Sequence, residues 1–502
     1  MLGWFADLFR LAWGLFYWNT RKAWFQWRRG RARCPCQNPS DSGRAFETGC
    51  EACVSWSRQV RFRRVCPLLV ETPDGLRCAA NTADVRPFWG IAAGYYGGAL
   101  LSVYAVVVLT IFIFLRTVGY PVSILHVGLP PLWHKVGQAR GWFFLDRSNR
   151  AFAAGKTAEG LLYLANSYDF DPTNVDAGLA LAKHFQAAHP ARSDEIFKKL
   201  LRDHPGKRAG IAQDWFRALL ARGDFEKIAP LAQAEILTDT VHAGVWIRAL
   251  LFATRRTGYD GPLRALLANH APAAVPWHPV IETELLLRAG RPREARAALE
   301  RPWPGRSPPF SLFYRVNALI DLKDTFAALD LLARHPRALD PEAEVTLRLD
   351  AFAERNAKGP LQRQLDELLV PRLNLATLKI ICAHLIRHPD AAIFDRLYAK
   401  VGREPIPFGT ETAGAWFSLL CTAGAVGDRA RLSEITERLK TASRNPFVAL
   451  DGVAAFFRGE TGERRITLFL PILPLPLEVT YALIERYSPV PAIAEPGAPR
   501  SV

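Results

Sequence analysis

Six cysteines, Cys34, Cys36, Cys50, Cys53, Cys66 and Cys78, crowd into 45 positions of a 502-residue chain that holds eight in all. Thiols two or three positions apart can face one ion across a tight turn. Cys50-Glu-Ala-Cys53 is therefore a knuckle for tetrahedral zinc, and Cys34-Pro-Cys36 is a tighter second pair. Any such site contains Cys50 and Cys53 and takes two further ligands from Cys34, Cys36, Cys66 and Cys78. A structural zinc supplies what the segment lacks, because turn formers such as Pro39, Asp41, Gly43, Pro73 and Gly75 leave too little apolar surface to fold alone. Disulfides, iron-sulfur ligation and free thiols are the competing states. Attachment of a c-type haem is excluded, since Val54 rather than His follows Cys53.

Other candidate chemistry is sparse. Gly155-Lys156-Thr157 has the end of a phosphate loop, but Arg150 stands where the first glycine belongs, and Gly155 suits a turn between helices. No H-E-x-x-H, G-x-S-x-G or G-x-G-x-x-G occurs. His189, His204, His278, His335 and His388 lie beside prolines, as expected where helical repeats end, and Cys382 and Cys421 sit among apolar neighbours as buried thiols. No residue is assigned a catalytic role, and the chain reads as a binding protein rather than an enzyme. The cysteine segment resembles a degenerate zinc ribbon. Arg58, Arg61, Phe62, Arg63 and Arg64, between its knuckles, suit either nucleic acid or lipid headgroups.

The element that positions this module is a membrane span. From Gly90 to Leu115 there are 26 residues without a charge, more than the roughly 20 needed to cross a bilayer. Trp89, Tyr95 and Tyr96 mark one interface, Arg116 and Tyr120 the other. Gly94, Gly97 and Gly98 offer a seam for a second helix, which leaves homo-oligomerisation open. Upstream, Met1–Trp18 is apolar except for the stripe Asp7, Arg10, Gly14 and Tyr17, the pattern of a helix lying in the membrane surface. Arg21, Lys22, Arg28, Arg29, Arg31 and Arg33, interleaved with Trp24, Phe25 and Trp27, suit anionic headgroups. That basic cluster, together with the need to keep ligand thiols reduced, places the N-terminal module in the cytoplasm and the rest on the opposite, periplasm-like side.

Beyond the span a second periodicity begins. Gly178, Leu181, Ala182 and Phe185, then Ser193, Phe197, Leu200 and Pro205, alternate small and large residues so that two antiparallel helices interlock. Gly155, Gly160, Leu164, Ser167 and Pro172 form a preceding unit, and Pro172 and Pro205 are 33 residues apart. These residues resemble the tetratricopeptide-repeat (TPR) family. Gly223-Asp224-Phe225, Gly290-Arg291-Pro292, Asp340-Pro341 and Gly427-Asp428 are remnants of later turns, while Pro302, Pro304, Pro308 and Pro309 disturb the stacking. The resemblance implies a concave groove that holds a protein or peptide without chemistry of its own. Asn166 and Asn174 lie near positions where such grooves carry polar contacts, although asparagine also caps helices.

The expected fold is mainly α, an irregular TPR-like α-solenoid preceded by a transmembrane helix and a small cysteine-rich metal-knuckle module. The boundaries are a membrane-surface helix at 1–33, the cysteine module at 34–88, the span at 90–116, a linker and lead-in helix at 117–145, the solenoid at 146–487 and a Pro/Ala-rich disordered tail at 488–502. The run from Ile466 to Leu477 is broken by Pro471, Pro474 and Pro476, which makes it a packed extended segment rather than a second span. A formal charge of +16 and a pI near 9.7 permit anionic lipid or nucleic-acid partners without choosing between them. The expected function is a membrane-anchored scaffold. The alternatives are a membrane-tethered regulator whose basic module binds nucleic acid, and an enzyme with an unrecognised site in the groove.

Overall fold

The computed structural model describes residues 9, 13, 69–73, 75–78, 88–303, 308–409, 411–443, 448–462 and 465–488. The chain divides into two compact units, Met1–Phe143 and Phe144–Val502, and is mainly α.

In the first unit, β1 (Leu69–Thr72) and β2 (Gly75–Cys78) pair antiparallel with Leu69 opposite Cys78. The helix α1 (Phe88–Val118) follows. Its 22-residue stretch Gly97–Val118 is about 33 Å long at 1.5 Å per residue, enough to cross a membrane by length and composition. Apart from the buried Val108, most of its apolar side chains are bare along that length, Leu100 and Leu101 being 71% and 68% exposed. The chain turns at Gly119, whose φ of +102° favours a residue without a Cβ. Then α2 (Ile124–Gly128) folds back beside α1, where a Cβ on Gly128 would stand 3.3 Å from Val108 and the Tyr104 hydroxyl donates to the Gly128 carbonyl. The helix α3 (His134–Ala153) carries the chain onward.

The second unit is an array of antiparallel helix pairs. The end of α3 pairs with α4 (Thr157–Phe170), and the next pairs are α5 (Val175–Ala188) with α6 (Pro190–Asp203) and α7 (Arg208–Arg222) with α8 (Phe225–Thr238). They continue as α9 (Ala243–Thr257) with α10 (Gly261–Leu267), α11 (His278–Arg288) with α12 (Pro292–Glu300), and α13 (Pro309–Asp321) with α14 (Thr325–Arg334). The last are α15 (Pro341–Glu354) with α16 (Lys358–Leu369), α17 (Leu375–Arg387) with α18 (Ala391–Arg403), and α19 (Ala413–Val426) with α20 (Arg429–Ser443). Then come α21 (Val448–Arg458), two 3-10 turns at Ile466–Leu468 and Leu470–Ile472, and α22 (Leu477–Tyr487).

The sequence signals explain these boundaries. Gly155, Gly223, Gly290 and Gly427, between the two helices of a pair, have φ values of 75°, 75°, 68° and 87°, a conformation that glycine reaches without a steric penalty. Asn174, Asn374 and Asp390 accept from the backbone N–H three residues on, at 3.1, 2.8 and 3.1 Å, and so satisfy a donor that the first turn leaves unpaired. The small positions let pairs approach: a Cβ on Gly178 would lie 2.8 Å from the Tyr168 ring and 3.0 Å from Leu200. Ser193 is buried and donates to the Ala182 carbonyl at 2.8 Å, while Phe197 and Leu200 are fully enclosed.

Candidate ligand cavity on the inner wall of the array

The C-terminal segment does more than end the array. Gln186 of α5 donates to the Pro471 carbonyl at 2.6 Å, and Thr467 packs against Gly223 at the end of α7. Phe252 of α9 meets the Tyr481 ring edge-on at 4.6 Å, Arg248 lies 4.5 Å over that ring, and Arg387 of α17 pairs with Glu485 at 2.9 Å. Arg486 donates to the carbonyls of Ile386 and Ala425, at 2.7 and 3.0 Å. These carbonyls lie in the last turns of α17 and α19, where helices leave acceptors unsatisfied. Each helix named here is the first of its pair, so the first helices form an inner wall and residues 466–488 lie along it. Val479, Leu483 and Ile484 are fully buried, worth roughly 1.5–3 kcal/mol each, which makes α22 part of the core.

Beside α22 a cavity of about 430 Å³ remains, walled by α9, α13, α15, α17 and α22. Helical spacing aims its side chains inward: Arg248, Phe252 and Arg255 from α9, Asn317 and Asp321 from α13, and Thr346, Asp350 and Glu354 from α15 share the i, i+3 and i+4 rows of their helices. Arg387 and His388 from the end of α17, with Tyr481, Glu485 and Arg486 from α22, complete the wall. Its charges are four arginines and four carboxylates, interleaved.

Two buried networks organise that charge. In the first, Arg255 donates to both oxygens of Glu284 at 2.7 Å, and the Tyr314 hydroxyl donates to Glu284 at 2.9 Å, linking α9, α11 and α13. Burial opposes the charge on Glu284, but Arg255 and Tyr314 overcome it and hold the carboxyl below its usual range. Burial and the same carboxylate push the Tyr314 phenol well up. At the rim of this network Asp321, 54% exposed, accepts from Asn317 at 3.2 Å and lies 3.7 Å from Arg255; partial desolvation, with the charges of Glu485, Glu284 and Asp350 adding to it, pushes its carboxyl up to about 6.

In the second network, Asp350 of α15 faces the last turn of α17. Its Oδ1 lies 3.7 Å from His384 Nδ1 and 4.0 Å from His388 Nε2, and its Oδ2 is 3.7 Å from Arg387. All three separations exceed hydrogen-bond length, and Asp350 Oδ1 and His384 Nδ1 are buried without a hydrogen-bond partner. Burial raises the cost of charging Asp350, and His384, Arg387 and His388 together still keep its carboxyl low. The three ligand-type atoms lie within 4.8 Å of one another, so Asp350, His384 and His388 can hold a metal ion.

Of the cysteines expected to bind zinc, Cys34, Cys36, Cys50, Cys53 and Cys66 lie outside the described residues, and Cys78 is described only as the last residue of β2. Cys382 and Cys421 are buried, and burial pushes the Cys382 thiol up to about 12, so neither is a reactive thiolate. Asn174 caps α5. The sequence reading missed His384 and treated His388 as a repeat-end residue. The signal was present as H-x-x-x-H, two imidazoles on one helical face, but its carboxylate partner stands 34 positions away on another helix. No protein-family model matches this chain, and a comparison with curated proteins returns no match.

Proposed function

We propose that this chain is a membrane-anchored scaffold that holds a partner protein through the inner wall of a TPR-like solenoid. The observation that carries this reading is the segment 466–488, which already lies along that wall as a peptide would, offering backbone carbonyls to Gln186 and Arg256 and an aromatic side chain to Phe252. A partner then has the 430 Å³ cavity left to fill, enough for a few side chains rather than a whole helix. Membrane attachment is supported by the bare apolar surface of α1, which continues onto the exposed Ile124, Leu125, Leu129 and Trp133. In this reading the cysteine module binds zinc on the cytoplasmic side, the basic N-terminal segment meets anionic lipid, and the solenoid faces the opposite compartment.

Site-specific photocrosslinking tests the partner claim. A benzophenone side chain is placed at Phe313 in the cavity wall, and a matched one at the exposed Arg363 of α16. The expected result is a discrete adduct in membranes from position 313 and none from 363. Adducts from 363 alone, or none from 313, would refute binding by the inner wall.

A further inference from the structure

We propose that Asp350, His384 and His388 form a metal site for a divalent transition ion of the zinc class, with one coordination position open to the cavity. Around a tetrahedral ion with bonds of about 2.0–2.2 Å, ligand atoms stand about 3.3–3.6 Å apart. Oδ1 of Asp350 lies 3.7 and 4.0 Å from the two imidazole nitrogens and all three donor atoms lie within 4.8 Å of one another, so closure draws them together through side-chain rotation. His384 and His388 stand at i and i+4 on α17 and so project from one face, with ring centroids 5.1 Å apart.

Three features favour an ion over a plain salt bridge. First, His384 is 3% exposed and its Nδ1 finds no hydrogen-bond partner, nor does Asp350 Oδ1, an arrangement that costs free energy unless something accepts both atoms. Second, the nearby cation lies on the other side of the carboxylate. Arg387 Nε donates to Glu485 at 2.9 Å, while its Nη1 lies 3.7 Å from Asp350 Oδ2, the position of an outer partner of a carboxylate that ligates through Oδ1. Third, two imidazoles and one carboxylate are a donor set that borderline divalent ions prefer over calcium or magnesium. Three protein ligands leave a fourth position, and since Asp350 and His388 both line the cavity, that position faces whatever enters it. The site joins α15 to α17 and offers a cavity occupant a Lewis-acidic contact.

The test uses the full chain in detergent, stripped with chelator and titrated separately with Zn²⁺ and Co²⁺. Cobalt separates this site from the cysteines, because only thiolate ligands give sulfur-to-metal charge-transfer absorption. The expected result is a d–d component that persists when the six N-terminal cysteines are changed to Ser, which removes any sulfur-to-metal band, and that is lost in His388→Ala. The site should disappear in His388→Ala and Asp350→Asn, with bound zinc falling by one ion per chain and helicity unchanged. Zinc should raise Tm in the parent chain by more than in His388→Ala. Should His384→Ala fail to fold, His388 at the cavity wall decides the question. Equal zinc content in parent and His388→Ala, or cobalt spectra of thiolate type alone, would overturn the site.

Discussion

Two helices of this chain, α1 and α19, are apolar over nearly their whole length, yet one is bare and the other enclosed. Eleven consecutive residues of α19, Ala415 to Ala425, are buried, under cover from α17, α20, α21 and α22. In the stretch Gly97–Val118 of α1 only Val108 is buried. Length separates them: 22 residues at 1.5 Å rise span a bilayer, whereas the 14 of α19 reach about 21 Å. Neighbours separate them further, since Gly424 admits the Phe457 ring to where its own Cβ would stand, while nothing lies within 4 Å of a Cβ on Gly97. Apolar composition therefore does not identify a membrane segment until length and cover are known.

The most severe way to break this comparison is to place the same charge in each helix. Leu420→Arg buries an unpaired guanidinium in α19 and should cost more than about 4 kcal/mol, abolishing the cooperative melt of the second unit followed by circular dichroism. Val106→Arg in α1, where the side chain is 64% exposed, should leave that melt in place and reduce the membrane-bound fraction. Next in size is Arg486→Ala, which strips donors from the end carbonyls of α17 and α19. A loss of about 1.5–3 kcal/mol in urea unfolding is expected. Smaller again is Gly424→Ala, about 1–3 kcal/mol from overpacking against Phe457, set against a change within about 0.5 kcal/mol for Gly97→Ala.

The smallest effect lies in pH. Asp194 is buried, and burial opposes its charge, but Lys227, Trp215 and Arg222 bond it at 2.8, 2.9 and 2.5 Å and hold its carboxyl below the usual range. A carboxyl lowered in the folded state contributes stability that is complete above the unfolded pKa of about 4 and is lost as pH falls through the folded value. Tm measured between pH 7 and 3 should fall less steeply in Asp194→Asn than in the parent chain. Asp321, pushed up to about 6, has the opposite sign, so Asp321→Asn should remove a small loss of stability between pH 4 and 7. The Asp321 side chain is 54% exposed, and solvent screening keeps that effect slight.

Much of the fold was legible because its signals are local. The charge-free run at 90–115 became α1, Gly155, Gly223, Gly290 and Gly427 became turns, and Ser193 with Phe197 and Leu200 became the interlocking face of α6. The run Ile466–Leu477 is packed, with Ile466 and Leu470 buried, but as two 3-10 turns rather than the extended segment expected from its prolines. The cavity was not legible. Its wall brings together Arg255, Asp321, Asp350, His388 and Glu485 from α9, α13, α15, the end of α17 and α22, and only the packing of these elements far apart in sequence sets those distances. A two-stranded hairpin at 69–78 also went unread, since its two four-residue strands leave no periodic pattern.

Charge divides unevenly as well, with 17 Lys and Arg against 7 Asp and Glu in residues 1–143 and 47 against 41 in residues 144–502. The basic excess thus lies mostly in the unit that carries α1, where anionic headgroups would meet it. In the second unit arginine is a working part of the fold, as at Arg222, Arg255 and Arg387.

Alkaline carbonate extraction of membranes carrying the full chain tests the anchored-scaffold reading most directly. The full chain should stay in the membrane pellet, and the chain with Val106 and Leu109 both changed to Arg should move to the supernatant with its helical array still folded. Release of the unaltered chain into the supernatant would contradict the account.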